Sequence, residues 1–136
     1  MGTRSAERRP DGIGLVTRIV VADPSLIVLV GAAGSGKSTF AARHFAPTEI
    51  LSSDAYRALI AGDETDQRAT KPAFGRLHRE LARRLAAGLL SVVDATNIEP
   101  AARRALVIRS AGASLPGTAV VLDLPPSLVL ARNAAR

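Results

Sequence analysis

The sequence predicts a three-layer α/β fold, a mainly parallel sheet with helices on both faces. Three observations point there. Short apolar runs recur along the chain, each followed by a segment of helical pattern, and such alternation argues for parallel strands joined by right-handed crossovers. Two of the runs, LIVLV and LLSVVD, are nearly continuous, as expected of strands buried on both faces. Hydrophobic residues make up 47% of the 136, yet only Phe40, Phe45, Phe74 and Tyr56 are aromatic. The core must therefore be aliphatic, and the length suits one domain.

Residues 1–14 are polar and basic and read as a flexible tail. Their arginine pair does not make a signal peptide, because the apolar run that follows is broken by Arg18, Asp23 and Pro24. Leu15–Val21 alternates like a strand, and ADPS is a turn. Leu26–Val30 is the first buried strand. Ser38–Phe45 reads as a helix stopped by Pro47. Glu49–Ser52 is a short strand, and Ala55–Ala61 a helical turn or two with Ser53 or Asp54 placed to cap it.

Residues 62–72 are polar and predict a loop. Phe74, Leu77, His78, Leu81 and Leu85 recur at helical spacing, so Pro72–Ala87 is an amphipathic helix that Gly88 ends. Leu89–Asp94 is a further strand, Pro100–Gly112 a helix, and Gly117–Leu124 the last strand. Pro126–Arg136 reads as helical. There is no internal repeat.

Composition excludes some classes of function. Without cysteine the chain has neither a disulfide scaffold nor a cysteine-ligated metal, which fits a cytoplasmic setting. No run reaches the ~18 apolar residues of a membrane span, so no membrane partner is expected. The net charge of +6, nearly all arginine, fits either an anionic partner or a composition rich in Ala and Arg. His44 and His78 have no ligand partners at metal spacing and read as packing or surface residues. Arg76, Arg79, Arg83 and Arg84 form a basic side to the long helix, either a solvated face or a track for a nucleic-acid backbone.

The chemistry starts at GAAGSGKST, Gly31, Ala32, Ala33, Gly34, Ser35, Gly36, Lys37, Ser38 and Thr39. It fits G-x-x-x-x-G-K-[ST], with a buried strand before it and a helix after it. Glycines let successive N–H groups turn inward into a nest for phosphate oxygens. The helix aims its positive end at the same place. Lys37 adds a full charge at the β/γ-phosphates, and Ser38 offers a hydroxyl to Mg²⁺. The motif implies a P-loop NTPase or kinase fold over residues 15–136, with ATP and Mg²⁺ as cofactors. It does not separate hydrolysis from transfer.

Ligands bind beyond the carboxyl ends of parallel strands. From Lys37 the chain runs down a helix of about nine residues, ~14 Å. It returns along a strand of about five, ~16 Å. Ser52–Asp54 should thus emerge level with the phosphate loop. Asp54 there either caps its helix or accepts a proton from an attacking hydroxyl. Arg57, one helical turn on, is either a surface charge or an anchor for an anionic acceptor. Asp94, ending the VVD strand, either caps a turn or sits by Mg²⁺, directly or through water. Thr96 and Asn97 shape the turn.

GAAGSGKSTFAARHFAPTEILSSDAYR, DETDQRAT, VVDATN and LARNAAR, in that order, resemble the 5′-kinase module of bacterial end-healing polynucleotide kinase-phosphatases. The resemblance covers about residues 26–136, and SSDxxR and DxTN are more specific than the phosphate loop. It implies transfer of the ATP γ-phosphate to the 5′-hydroxyl end of RNA or DNA. By position, Asp54 would be the general base and Arg57 would contact the phosphate of the terminal acceptor nucleotide. Gln67 would lie near the acceptor. Arg132 and Arg136 match paired arginines of the family's lid. After LARNAAR the family continues with more lid and a strand that are not recognisable here, so the lid and last strand are expected to be missing. A small-molecule kinase acting on a sugar, acid or antibiotic hydroxyl, and a non-catalytic ATP-binding module, are the alternative readings.

Overall fold

A computed structural model describes residues 2–8, 17–32, 34–62, 67–97 and 99–122. Strand β1 (Gly2–Arg8) pairs antiparallel with β2 (Thr17–Asp23). β3 (Leu26–Val30), β4 (Ile50–Ser52), β5 (Ser91–Asp94) and β6 (Gly117–Val121) form one parallel sheet in the order β4-β5-β3-β6. The helices are α1 (Lys37–His44), α2 (Ser53–Ala61), α3 (Thr70–Ala86) and α4 (Pro100–Gly112). The predicted helix over 126–136 lies outside the described residues.

Alternation along the strands sorts the core onto two faces. Ile27 and Leu29 of β3 and Val92 of β5 pack with Phe40, Ala41 and Phe45 from the α1 side and with Val21 of β2. Leu26, Val28 and Val93 point the other way, toward Leu77, Leu81 and Leu85 of α3 and Leu106 of α4. Leu26, Ile27, Leu29, Leu77, Leu81 and Val92 are fully buried. The three layers are therefore hairpin and α1, sheet, then α2, α3 and α4.

Several boundaries differ from the sequence reading. α3 starts at Thr70, so Pro72 sits inside its first turn, where a missing N–H costs nothing. β5 starts at Ser91 rather than Leu89, because Leu89 and Leu90 follow the left-handed Gly88 and still close the end of α3, Leu89 N–H donating to Arg84 O. Arg84 leaves the basic side of α3 altogether. It is 8% exposed, and its guanidinium donates to Ser91 Oγ at 3.0 Å and Leu90 O at 2.7 Å. His78 accepts from Arg109 Nε at 2.8 Å, joining α3 to α4; burial and then the Arg109 charge push its pKa down.

The largest correction concerns the expected tail, since Gly2–Arg8 is a strand. Its sequence has no apolar face to announce it. A ladder of seven residue pairs with β2 holds it, together with one side chain. The Arg4 guanidinium donates to both Glu49 carboxylate oxygens, at 2.7 and 2.9 Å, and to Asp23 Oδ2 at 3.1 and 3.3 Å. It also lies 5.8 Å from the centre of the Phe45 ring.

Burial pushes the Glu49 carboxyl up, but the Arg4 hydrogen bonds and the Ala46 N–H outweigh it, and its pKa ends below the usual value. A depressed carboxylate stabilises the fold above its unfolded pKa, and that contribution is lost as pH falls through the folded value. Arg4→Met should therefore cost about 1 kcal/mol, or roughly 3–5 °C in Tm, at pH 7. The gap should close below about pH 4. An equal gap at pH 7 and pH 3 would show that Arg4 acts through packing instead.

Candidate active site

The strand register sets the site. Leu29 of β3 and Ser52 of β4 both pair with Asp94, the last residue of β5. The carboxyl ends of the three strands are therefore level, and whatever follows each of them meets at one edge of the sheet. After β3 comes the glycine-rich loop, after β4 the start of α2, and after β5 the turn Ala95–Asn97.

The loop is bound to its neighbours through the backbone. Gly31 N–H donates to Thr96 O at 3.1 Å, and Ser35 N–H to Ala32 O at 3.1 Å. Gly34 and Gly36 have φ of +83° and +93°, a region that disfavours residues with a Cβ. A Cβ on Gly31 would lie 2.6 Å from Ser35 Oγ and 3.0 Å from Leu122 O, so this glycine is required by close approach. Asn97 closes the far side. Its amide donates to Leu29 O at 2.8 Å and to Ala95 O at 3.2 Å from a left-handed backbone with φ of +52°.

Lys37 is the first residue of α1 and only 8% exposed; its ammonium donates to Ala32 O at 3.1 Å, folded over the loop. Ser35 is 3% exposed and its buried hydroxyl has no hydrogen-bond partner among the described residues. A buried hydroxyl in that state, in a glycine-rich turn that leads into a helix N-terminus, fits an oxyanion. Ser38 Oγ donates to Asp94 Oδ2 at 2.7 Å across 56 positions of sequence. Two hard oxygen ligands at the mouth of a phosphate nest fit Mg²⁺.

Asp54 and Arg57 lie on α2, and Arg57 Nη2 donates to Asp54 Oδ1. The cap of α2 is neither Ser53 nor Asp54. It is Ser52, whose hydroxyl accepts from Ala55 N–H at 3.3 Å. Asp54 is thereby released from capping and is partly exposed. It lines a cavity of about 600 Å³ together with Arg57, Gly34, Gly36, Lys37, Ser38, Thr39, Asp94 and Thr96, a volume usual for small-molecule sites.

Most of the residues singled out from the sequence thus share one cavity wall or the loop beneath it. Gly31, Ala32 and Ser35 belong to the loop without lining the cavity. Ala33, Arg132 and Arg136 lie outside the described residues, as does the side chain of Gln67, whose backbone opens a 3₁₀ turn, Gln67–Ala69, leading into α3. Thr70 and Phe74 at the start of α3 also line the cavity and escaped the sequence reading as site residues. Phe74 falls on the apolar stripe and so reads as core. The one aromatic ring in a stripe of leucines was the available signal.

Residues 26–136 match the family described as the AAA domain. The chain belongs to this family. It is similar to a chain in the structure of the Pnkp1/Rnl/Hen1 complex, 29% identical with a TM-score of 0.68 over 80% of this chain and 38% of that one. A second structure, of the Pnkp1/Rnl/Hen1 RNA repair complex, gives 27% identity and a TM-score of 0.70 over 83% of this chain and 37% of that one. This family member therefore spans less than two fifths of the length of either. A kinase candidate from Chloroflexus aurantiacus shares the fold at 18% identity and a TM-score of 0.64, with 83% and 66% covered. No curated protein matches the chain.

The family and the loop make it a P-loop domain, and such a domain implies nucleotide binding. No helix among the described residues is long and apolar enough to cross a membrane. None of the described His, Asp or Glu residues gathers in a group of three that could hold a metal by itself, so a metal here would lean on the nucleotide's own oxygens. Asp94→Asn should weaken nucleotide binding about tenfold in Mg²⁺ and leave binding in EDTA unchanged, measured by calorimetry. Equal loss in both buffers would show that Asp94 only shapes the loop.

Proposed function

We propose that the chain is an ATP-dependent polynucleotide 5′-hydroxyl kinase, transferring the γ-phosphoryl group of ATP to the 5′-OH end of RNA or DNA. One observation carries the reading: the Asp54–Arg57 pair faces the same cavity as Lys37 and Ser38. A nucleotide-binding module without an acceptor has no use for a carboxylate and a guanidinium there. The structural likeness to an RNA repair complex supports a polynucleotide as acceptor.

In this reading the loop N–H groups and Lys37 hold the β- and γ-phosphates. Ser38 and Asp94 would hold Mg²⁺, and Mg²⁺ when bound supplies charge neutralisation at the donor phosphates. Arg57 has five N–H donors, enough to keep Asp54 oriented while holding the phosphate of the terminal acceptor nucleotide. The acceptor O5′ forms its bond to the γ-phosphorus as the bond to the ADP oxygen breaks. Asp54 takes the O5′ proton. The transition state is largely dissociative, so the carboxylate is asked chiefly to orient the hydroxyl and to receive a late proton. Gln67 would stand on the acceptor side. By the family resemblance, Arg132 and Arg136 would close over the donor phosphates.

Arg57 also weighs against the small-molecule reading, because a sugar or antibiotic hydroxyl without a phosphate needs no such anchor. The test is label transfer from [γ-³²P]ATP to a 5′-OH oligonucleotide, in competition with pools of small alcohols. Label should go to the oligonucleotide. Asp54→Ala should cut transfer by roughly 10²- to 10⁴-fold with ATP affinity within about twofold of the starting protein. Retained transfer would remove Asp54 from the role of base.

A further inference from the structure

The cavity has an asymmetry that phosphoryl transfer alone does not explain. Its floor and donor side are loop, lysine, hydroxyl and carboxylate, as phosphates require. The other wall comes from α2 and α3, which pack against each other, and there Arg57 and Thr70 stand with the ring of Phe74. The chain has three phenylalanines, one tyrosine and no tryptophan. Phe40 and Phe45 are buried in the cluster on the far face of the sheet. Tyr56 packs against the near cluster without lining the cavity. Phe74 is the one aromatic residue that does both.

Core packing does not call for an aromatic at that position. The seam of α3 that meets the sheet is Ala73, Leu77, Leu81 and Leu85, all nearly or fully buried. Phe74 stands beside that seam, half-buried, braced on the leucine cluster along one side and open to the cavity along the other. A leucine would fill the bracing role. What only a ring adds is a flat π-face in a cavity that Arg57 also lines. Phosphate and planar base are the two parts that every nucleotide carries, and stacking suits an acceptor of any sequence because each base has a π-face.

We infer that Phe74 is a stacking platform for the base of the acceptor's terminal nucleotide, so that the site selects a hydroxyl attached to a base-bearing nucleotide over one on a bare sugar phosphate. The inference rests on the polynucleotide-kinase reading above and names the part of the acceptor that this wall reads. Arg57 takes the charge and Phe74 the plane, which together fix the position of O5′ relative to Asp54.

The test compares two acceptors, a 5′-OH oligonucleotide and the same oligonucleotide with an abasic tetrahydrofuran residue at its 5′ end. The starting protein should prefer the base-bearing end by roughly tenfold in kcat/KM, expressed mostly in KM. In Phe74→Leu, which keeps the core bracing, that preference should collapse toward one, and Phe74→Tyr should restore it. A structural role would depress both acceptors equally and leave the ratio at its starting value, which would overturn the platform. Absence of any transfer to either acceptor by the unsubstituted protein would instead sink the kinase reading, and the platform with it. Thermal denaturation of both variants shows whether the fold is intact.

Discussion

The level ends of β3, β4 and β5 are the constraint on which the rest of the molecule depends. Asp94 is paired with Leu29 on one side and Ser52 on the other. That double pairing lets Ser38, eight residues past the end of β3, meet Asp94 at 2.7 Å. It also starts α2 beside the same loop. Slipping one strand by a single residue would turn Asp94 toward a core face and exchange the two hydrophobic clusters. The cost of such a slip is the burial of a carboxylate without a partner. Core and site therefore select the same register, and neither would be stable with the other misplaced.

Around that edge, side chains and backbone divide the work by what each can supply. Backbone N–H groups need unusual angles to converge, and Gly34 and Gly36 supply them at positive φ. The nearly buried Lys37 is retained because its ammonium has a carbonyl in reach, Ala32 O, and a phosphate held by the loop would offer it counter-charge. The carboxylate of Asp54 stays accessible since capping of α2 is done one residue before Ser53, by Ser52. A helix that needed Asp54 as its cap would have lost the one acid that the described residues of α2 and α3 bring to the cavity.

How much could be read from residues alone follows from whether an element announces itself locally. Leu26–Val30 is buried on both faces and reads as a continuous apolar run, and the glycine spacing after it is specific. The level emergence of Ser52–Asp54 followed from nothing more than the lengths of one helix and one strand. The cap of α2 was not decidable, because Ser52, Ser53 and Asp54 are three adjacent residues with the same capping chemistry. β1 was invisible for a different reason. Its anchor is Arg4, whose partners Asp23 and Glu49 are 19 and 45 positions away. Arg84 misled in the same manner, since only the fold reveals that Leu90 O and Ser91 Oγ stand ready to accept it. Phe74 was read correctly as apolar and incompletely as core.

The account turns on where an acceptor hydroxyl comes to rest. A crystal structure with a non-hydrolysable ATP analogue, Mg²⁺ and a 5′-OH oligonucleotide measures this directly. The account predicts the terminal O5′ within hydrogen-bonding distance of an Asp54 carboxylate oxygen and in line behind the γ-phosphorus. An oligonucleotide end seated elsewhere, with Asp54 making no approach to it, would contradict the account.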